Sequence, residues 1–270
     1  MIMKNILFVC VNYNSYSELE RFLFSIDKSF SSLSDKNVMI EVFIADNSTK
    51  AQDIDLSTFK NFTVQILKLN NLGYLGGAAV IVNGIENIKS YDYVIISNVD
   101  LTIDASFIPT LLSLKVNTDT AWIAPSIFSQ AENRDKNPKV LTRYPKRKLQ
   151  ILQFMYRFPI FHKIYTLSLY KTKKKRLQPP SMDIYAGHGA FMIFTKKMLE
   201  TYPEIKYPIF LFGEELYFAE IISRANLKVR YEPSLKVYDE EHVSTSTMKS
   251  SFYYKCNLEA LTYILHTYYE

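Results

Sequence analysis

The sequence has few of the residues that define fibrous, disulfide-rich or membrane-spanning proteins. Only 7 of its 270 residues are glycine, which excludes collagen-like and glycine-rich chains. Its two cysteines, Cys10 and Cys256, lie near opposite ends of the chain without paired spacing, so we expect a reduced, cytosolic setting. No apolar run approaches the roughly 20 residues that a membrane-spanning helix needs. We therefore expect any membrane contact to be peripheral.

The composition is that of a globular protein. Apolar residues make up 48% of the chain and charged residues 22%, which is enough apolar content for a substantial core. The 32 Lys and Arg against 27 Asp and Glu give a net charge of +5, too little for a dedicated nucleic-acid binder. This excess suits a protein that handles phosphates or visits an anionic membrane. No segment has the composition of a linker, so we predict one domain over residues 1–270.

Alternating apolar segments predict an α/β fold. Runs rich in Val, Ile and Phe predict buried strands at residues 5–11, 38–45, 62–69 and 93–97. The first of these turns polar at Asn12, which favours a buried strand over a signal peptide. Apolar residues recur at helical spacing from Leu19 to Phe30, where Ser17 and Glu20 form a capping-box pattern. The alternation predicts an open, mostly parallel central sheet flanked by helices.

The second half of the chain is more varied. Residues 131–181 begin as a polar loop and continue as a stretch that interleaves basic and aromatic residues, a basic, aromatic-rich insertion. After it we predict one strand over residues 183–194 and another, short, over 227–232. Helices are predicted after the glycine-rich turn at 73–77, from an N-cap at Asp104, near 196–201, at 214–225 and near 250–268.

Polar clusters end the four predicted N-terminal strands. In open α/β sheets, ligands bind beyond the carboxyl ends of the strands, which makes these clusters the first candidates for a site. Amides and carboxylates can recognise a nucleobase edge and a ribose diol. The alternative is that the same residues simply cap helices and turns. The clusters are Asn12, Tyr13 and Asn14; Asp46, Asn47 and Ser48; Asn70 and Asn71; and Asn98 with Asp100.

Three further features are candidates for chemistry. Gly73, Gly76 and Gly77 lack the spacing of a phosphate-binding motif, so they either let the backbone approach a ligand or form a tight turn. Asp100 follows a buried strand and can contribute to a divalent-ion site completed by phosphates, or act as a cap. Glu214 and Glu215 begin a predicted helix, where the dipole favours them, and a buried member can serve as a general base.

The order of motifs resembles a known enzyme family. VNYN at 11–14, ADNS at 45–48, NNLGYLGG at 70–77, SNVD at 97–100, GHGAFMIF at 187–194, FLFGEE at 210–215 and the later His242 follow one another along most of the chain. In this order they resemble the inverting nucleotide-sugar glycosyltransferases of family 2, which have the GT-A fold, and particularly their bacterial rhamnosyltransferase-like members.

The resemblance implies roles for individual residues. Glu215 corresponds to the catalytic base, with Glu214 as the second candidate, and Asp100 and His242 would contact a divalent cation, Mn²⁺ or Mg²⁺. Gly187, His188 and Gly189 correspond to the acceptor side, although His188 can equally belong to a turn. The implied nucleotide-sugar site comprises Asn12, Tyr13, Asn14, Asp46, Asn47, Asn71, Gly73, Gly76, Gly77, Asn98 and Asp100.

The resemblance also implies a reaction and partners. The donor would be a UDP- or dTDP-linked sugar, bound by the first half of the chain to about residue 115. The acceptor would be a saccharide on a polyisoprenyl diphosphate, bound by residues from about 116 to 270 during synthesis of a bacterial O-antigen or capsule. The reaction would proceed by direct displacement with inversion, on the cytoplasmic face of the plasma membrane and without nucleic acid.

Departures from the family pattern leave alternatives open. Asn98 replaces the first acidic residue of the metal motif, Ala78 and Ala79 replace frequent asparagines, and Glu215 replaces an aspartate. A non-catalytic sugar- or lipid-binding module and a metal-dependent nucleotidyltransferase are therefore competing hypotheses. The basic, aromatic segment from Arg143 to Arg176, including Lys171 and Lys173 to Lys175, fits either a membrane surface or a solvated loop.

Overall fold

The computed structural model describes residues 3–162, 178–239 and 249–269. The strands are β1 (Lys4–Asn12), β2 (Val38–Asp46), β3 (Thr63–Lys68), β4 (Tyr93–Asn98), β5 (Leu101–Ile103), β6 (Thr120–Ser129), β7 (Arg134–Asp135), β8 (Met182–Ile184), β9 (Phe191–Thr195) and β10 (Lys228–Asp239). The helices are α1 (Tyr16–Ser31), α2 (Tyr74–Gly84), α3 (Phe107–Ser113), α4 (Lys146–Arg157), α5 (Lys196–Thr201), α6 (Glu214–Arg224) and α7 (Ser250–Tyr268).

All of these strands join one sheet, in the order β3-β2-β1-β4-β9-β6-β10-β5, with β7 beside β6 and β8 beside β10. The four strands at the β3 end are parallel, β9 runs antiparallel between β4 and β6, and β10 is parallel to β6. The predicted α/β fold with a central sheet flanked by helices is confirmed. The sheet itself is mixed because β9 reverses direction at its centre.

The core lies on both faces of this sheet. In β1 the side chains of Ile6, Phe8 and Cys10 pack on one face with α1 and α3, whereas Leu7, Val9 and Val11 pack on the other with α2 and α6. Successive side chains of a strand point to opposite faces, so a strand covered on both sides reads as a continuous apolar run. This covering explains why the N-terminal strands were predictable from the sequence.

Several local predictions need correction in the amino-terminal half. The capping box does not form: Ser15 is the N-cap of α1, and the Ser17 hydroxyl donates to the adjacent Glu18. The N-cap of α3 is Ser106 instead of Asp104, which lies two residues earlier and accepts with its carboxylate from the backbone N–H and hydroxyl of Ser106. Both residues satisfy local turns instead of helix ends, a competition typical of short polar side chains.

The strands in the second half also differ from the prediction. The expected strand over 183–194 is two strands, β8 and β9, because the segment between them packs beneath Trp122 and turns toward the cleft described below. The predicted short strand at 227–232 is the start of the twelve-residue β10. β6 was not predicted. Pro125 lies within β6 opposite an irregularity in β10 after Glu232, consistent with the exclusion of proline from regular ladders.

The basic, aromatic insertion contains α4, which packs against the C-terminal helix α7. Tyr156 contacts the Tyr253 ring edge-on, and Gln153 donates to the Thr262 hydroxyl. Just before α4, Arg143 makes a two-pronged ion pair with the buried Glu220 of α6. These contacts fix α4 to the body of the protein.

The described part of the chain contains neither a helix able to cross a membrane nor a disulfide bond. None of the helices placed there combines the length and apolar character needed to cross a bilayer. Cys10 and Cys256 are both buried free thiols.

Candidate active site

A cleft of about 1260 Å³ opens at the carboxyl ends of β1, β2 and β4. The register of the sheet explains why these ends coincide: Asn12 lies beside Asp46, and Val11 lies beside Asn98. Among the residues predicted for the site, those lining the cleft are Tyr13, Asn47, Asn71, Gly73, Asn98, Asp100, His188, Gly189, Glu214 and Glu215.

Asn12 and Asp46 are turned inward, below the cleft. Both are almost fully buried, and the Asn12 amide donates to the Asp46 carboxylate at 3.0 Å. The other Asp46 oxygen accepts from the Tyr16 hydroxyl at 2.8 Å. The structure therefore places these two residues as a tie between the ends of β1 and β2, with their polar atoms already engaged by protein partners.

Asn14 and Asn47 organise the loops around the cleft. The side-chain oxygen of Asn14, Oδ1, accepts from the backbone N–H groups of Thr49 and Lys50. These bonds join the loop after β1 to the loop after β2. The Asn47 amide donates to the Gly73 carbonyl at 2.8 Å. Of the two, Asn47 lines the cleft.

Gly73 is the point at which the glycine-rich loop meets the opposite wall. Its φ of 77° is in the left-handed region, and a β-carbon here would lie 1.8 Å from the Phe210 carbonyl oxygen. A side chain is therefore excluded by both conformation and space. Asn71 supports this turn, because its side-chain oxygen accepts from the Gly73 N–H at 3.1 Å.

The other predicted glycines lie elsewhere. Gly76 and Gly77 are inside α2, and Gly77 packs against the Asn47 side chain. Gly187 packs against Trp122 and Ala124, where a β-carbon would come within 2.5 Å of the Ala124 β-carbon. These three glycines permit close packing beneath the site and do not line it.

Asp100 lies in the turn between β4 and β5, and Asn98 is the last residue of β4, two positions earlier. Both line the cleft, as does Asp239 at the end of β10, which pairs with Leu101 of β5. Carboxylate and amide oxygens are the donors that Mg²⁺ and Mn²⁺ accept, with a diphosphate supplying further oxygens. The donor set thus fits a divalent cation that also binds phosphate. Within the described ranges there is no cluster of three His, Cys, Asp or Glu residues able to hold a metal alone. His242 lies outside those ranges.

Glu214 and Glu215 are the first two residues of α6, and both line the cleft. Their helix begins after Gly213, which has a left-handed φ of 80°. Burial raises the pKa of the Glu214 carboxyl to about 8, and the charge of Glu215 acts in the same direction. A buried carboxyl beside a like charge takes up a proton readily near neutral pH.

Tyr74 connects the two acidic parts of the cleft. Its hydroxyl donates to the Gly189 carbonyl at 2.9 Å. Burial raises the pKa of this hydroxyl well above its ordinary value, and the charges of Glu214, Asp100 and Glu215 raise it further. Carboxylates from the β4 end and from the start of α6 therefore all act on one hydroxyl group.

His188 is held as a neutral imidazole. Burial lowers its pKa well below the ordinary range, and the positive charges of Lys139, Lys136 and Arg134 lower it further. Its Nδ1 accepts from the Ala190 N–H at 3.2 Å, which leaves the proton on Nε2. His188 lines the cleft, where a neutral imidazole N–H can donate to a sugar hydroxyl.

Sequence reasoning missed several residues that line the cleft. Lys136 and Lys139 lie in the polar segment after β6 that the sequence indicated only as a loop, and Lys136 forms an ion pair with Asp239. Tyr156 of α4 and Tyr253 of α7 close another wall. Asp239 lies at the end of a strand, as the strand-end rule requires. The sequence did not indicate it because the strand there was predicted to end at residue 232, whereas β10 extends to Asp239. The lysines had no comparable signal.

The cleft can bind an anionic, partly aromatic ligand and transfer a proton. Lysines, amides, carboxylates and aromatic rings, including Tyr13, Tyr156 and Phe212, line it together. Carboxyl groups at a helix start, partly shielded from water, have the chemistry of a general base.

No protein-family model and no curated protein matches the sequence. Solved structures do match it at low identity. S. aureus TarS has a TM-score of 0.53 at 12% identity over 88% of this chain and 37% of its own. GalNAc-T7 with UDP, GalNAc and Mn²⁺ has a TM-score of 0.57 at 11% identity over 99% and 49%. TarS 1-349 in complex with UDP-GlcNAc has a TM-score of 0.57 at 11% identity over 98% and 67%.

This chain therefore spans well under half of TarS and about half of GalNAc-T7. Identities of 11 to 12% carry information about fold alone. The curled central sheet and its flanking helices match these structures, and the chain has the GT-A glycosyltransferase fold.

Proposed function

We propose that this protein is an inverting glycosyltransferase that uses a nucleoside-diphosphate sugar. The observation that carries the proposal is that Asp100, from the turn after β4, lines the same cleft at the strand ends as Glu214 and Glu215, from the start of α6. Glycosyl transfer needs a group that stabilises the leaving diphosphate and a base that activates the acceptor. Asp100 and the glutamate pair supply these two functions from different elements of the fold.

The donor half of the site is assigned to residues up to about 115. Tyr13 is 46% exposed at the rim and offers a ring face to the nucleobase, while Asn47 and Asn71 offer amides. Asp100 and Asn98 would hold a divalent cation together with the diphosphate. When bound, the cation would neutralise charge that develops on the departing diphosphate. The structures with UDP-GlcNAc and with UDP and Mn²⁺ support this assignment.

The acceptor half is assigned to residues from about 116 to 270. Glu215 is the proposed base, with Glu214 as the second candidate. The carboxylate takes the proton of an acceptor hydroxyl as that oxygen forms a bond to the anomeric carbon. The bond from this carbon to the phosphate oxygen breaks at the same time, and the nucleoside diphosphate leaves with the electron pair. Attack from the opposite face inverts the anomeric configuration. The His188 Nε2–H would orient a sugar hydroxyl, beside Gly189.

The proposed substrates are those implied by the family resemblance. The donor is a UDP- or dTDP-linked hexose or deoxyhexose. The acceptor is a saccharide on a polyisoprenyl diphosphate, at the cytoplasmic face of a bacterial membrane, in the synthesis of O-antigen or capsule. Lys136 and Lys139 in the cleft are compatible with an acceptor or a donor that carries phosphate.

Thermal shifts with nucleoside diphosphates test the proposal directly. UDP, dTDP, GDP and ADP are each added with and without Mn²⁺. Saturation at about 100 times the Kd stabilises by about 2.7 kcal/mol, which raises the Tm of a domain this size by roughly 5 to 10 °C. We expect that shift with UDP or dTDP, and only with the metal. Absence of a shift with every nucleotide contradicts the proposal, and binding without turnover favours a non-catalytic module.

A further inference from the structure

Five exposed large apolar side chains lie on the outward side of α4 and in the four residues that follow it. Ile151, Phe154, Phe158 and Phe161 are each about half exposed, and Ile160 is 73% exposed. Phe154, Phe158 and Phe161 form a cluster whose ring centroids lie 4.9 to 6.5 Å apart. Soluble proteins rarely expose contiguous apolar patches, so an exposed aromatic cluster of this kind indicates an interaction site.

The two faces of α4 have different partners. Leu149 is fully buried, and Leu152 and Tyr156 line the cleft and face α7. Residues 147, 151 and 154 recur at helical spacing on the other side, and Phe158 and Phe161, just after the helix, contact the Phe154 ring. The inner face therefore accounts for the attachment of α4 to the protein, and the outer stripe is not required for it.

The charged residues in α4 and in the sequence on either side of it are all basic. No Asp or Glu occurs in the sequence between Asp135 and Asp183. Lys146, Arg147 and Lys148 lie exposed at the start of α4, and Arg157 lies exposed at its end. Positive charges at a helix start oppose the helix dipole, so helix stability does not explain their position. An aromatic stripe flanked by basic residues is the pattern of a helix that lies in the headgroup region of an anionic bilayer.

We propose that this outward stripe, formed by α4 and the four residues after it (residues 146–161), docks on an anionic lipid bilayer. Phe154, Phe158 and Phe161 enter the boundary between headgroups and acyl chains, and Lys146, Arg147 and Arg157 contact lipid phosphates. The cleft lies on the other side of the same helix, about one helix diameter of 10 Å away. The lipid binding itself does not depend on the proposed function. Its significance for a lipid-linked acceptor rests on that function.

Vesicle flotation tests the docking surface without any nucleotide or sugar. The full chain is mixed with phosphatidylcholine vesicles with and without about 30% phosphatidylglycerol. We expect binding only to the anionic vesicles, weakened by salt. Lys146→Glu with Arg147→Glu should weaken it about 30-fold or more, and Phe154→Gln with Phe158→Gln about tenfold. The charge reversals lie in the first turn of α4, where acidic residues favour the helix.

Matched controls separate α4 from general charge and apolarity. Lys60→Glu with Lys68→Glu makes the same change in net charge at exposed positions in and before β3, and Met39→Gln with Leu67→Gln removes exposed apolar side chains from β2 and β3. Both control pairs should bind vesicles like the wild type. Thermal melts and the nucleotide shift verify that each variant is folded.

Three outcomes overturn the docking proposal. The first is a wild type that binds no anionic vesicle. The second is undiminished binding by both α4 variants, which would place the contact in another part of the chain, such as the lysines at 171–175. The third is a dimer in light scattering that the phenylalanine variant dissociates, which would assign the stripe to a second copy. If the thermal shift with a nucleotide is still seen in any of these cases, the docking proposal fails and the glycosyltransferase proposal stands. If the protein binds anionic vesicles but shows no nucleotide shift, the docking proposal stands and the glycosyltransferase proposal fails.

Discussion

Gly189 lies directly against the carboxylate of Glu214. A β-carbon at position 189 would come within 2.5 Å of Oε1 and 2.7 Å of Cγ of Glu214. The same glycine offers its carbonyl to the Tyr74 hydroxyl. The absence of a side chain at 189 thus lets the start of α6 approach the segment before β9. This approach sets the position of one of the two candidate acid–base groups.

The first prediction concerns this contact. Gly189→Ala should displace the Glu214 carboxylate, lowering the free energy of unfolding by about 1 to 3 kcal/mol. Turnover should fall by about 10- to 100-fold, because misplacing a reacting group by about 1 Å has effects of that size. Urea denaturation and initial rates measure the two effects. Gly84→Ala, at the end of α2 with nothing within 4 Å, is the matched control and should be neutral or slightly stabilising. Equal behaviour of the two variants would contradict the assigned role of Gly189.

The second prediction separates the two glutamates. Glu215→Gln keeps the shape of the side chain but removes its proton acceptor, so turnover should fall by about 10²- to 10⁴-fold. Binding of the nucleoside diphosphate should stay within a few-fold, since the glutamates belong to the proposed acceptor half and not to the strand ends proposed to hold the nucleotide. Titration calorimetry and single-turnover rates provide the measurements. Normal turnover in this variant, with a large loss in Glu214→Gln, would transfer the role of base to Glu214.

The third prediction concerns the metal. Asp100→Ala removes a carboxylate oxygen donor at the end of β4, so nucleoside-diphosphate binding should lose most of its dependence on Mn²⁺. We expect the affinity with metal to fall at least tenfold and the affinity without metal to change little. Titrations at matched ionic strength, with and without Mn²⁺, measure this difference. Identical metal dependence in the variant and the wild type would remove Asp100 from the proposed site.

The fourth prediction is a pH dependence of stability. The pKa of Glu214 in the folded protein is about 8, against an ordinary value of 4.5, because of its burial and the charge of Glu215. The folded state therefore binds this proton more tightly than the unfolded state does. Its contribution to stability is complete below pH 4.5 and is lost as the pH rises through about 8.

We accordingly expect the Tm to fall between about pH 4.5 and pH 8 in the wild type, and to fall less in Glu214→Gln. Lys139 and Glu215 also act on this carboxyl, with opposite signs, so the variant isolates the contribution of Glu214 itself. Differential scanning fluorimetry in buffers of matched ionic strength gives both curves. Parallel curves for the two proteins would show that another group dominates the pH dependence.

The N-terminal half of the fold was largely predictable from the sequence. The first four predicted strands agree with β1 to β4 to within one residue at each end. The signal is strongest in β1 and β4, which are buried on both faces and continuously apolar. The predictions weakened where the strands are irregular. β6 contains Pro125 opposite an irregular stretch of β10, and β8 and β9 are separated by a segment shaped by Trp122. These features depend on neighbours distant in sequence.

The candidate site was predictable in outline only. The strand-end rule selected Asn47, Asn98 and Asp100, which line the cleft. It also selected Asn12 and Asp46, which the structure turns inward to bind each other. A pattern of residue types fixes the strand end on which a side chain lies but not its rotamer or its hydrogen-bond partner. Lys136 and Lys139 enter the cleft only because the loop after β6 folds over it.

The sequence by itself determined the alternation of strands and helices, the polar strand ends and the acidic start of α6, because these depend on local periodicity and side-chain chemistry. Only the tertiary structure brings Asp100 and Glu214, about 110 residues apart in the sequence, close enough for both charges to raise the pKa of Tyr74. It also decided that one face of α4 is buried while its aromatic stripe is left exposed. Side-chain environments of this kind arise from packing between distant segments, which no local pattern encodes.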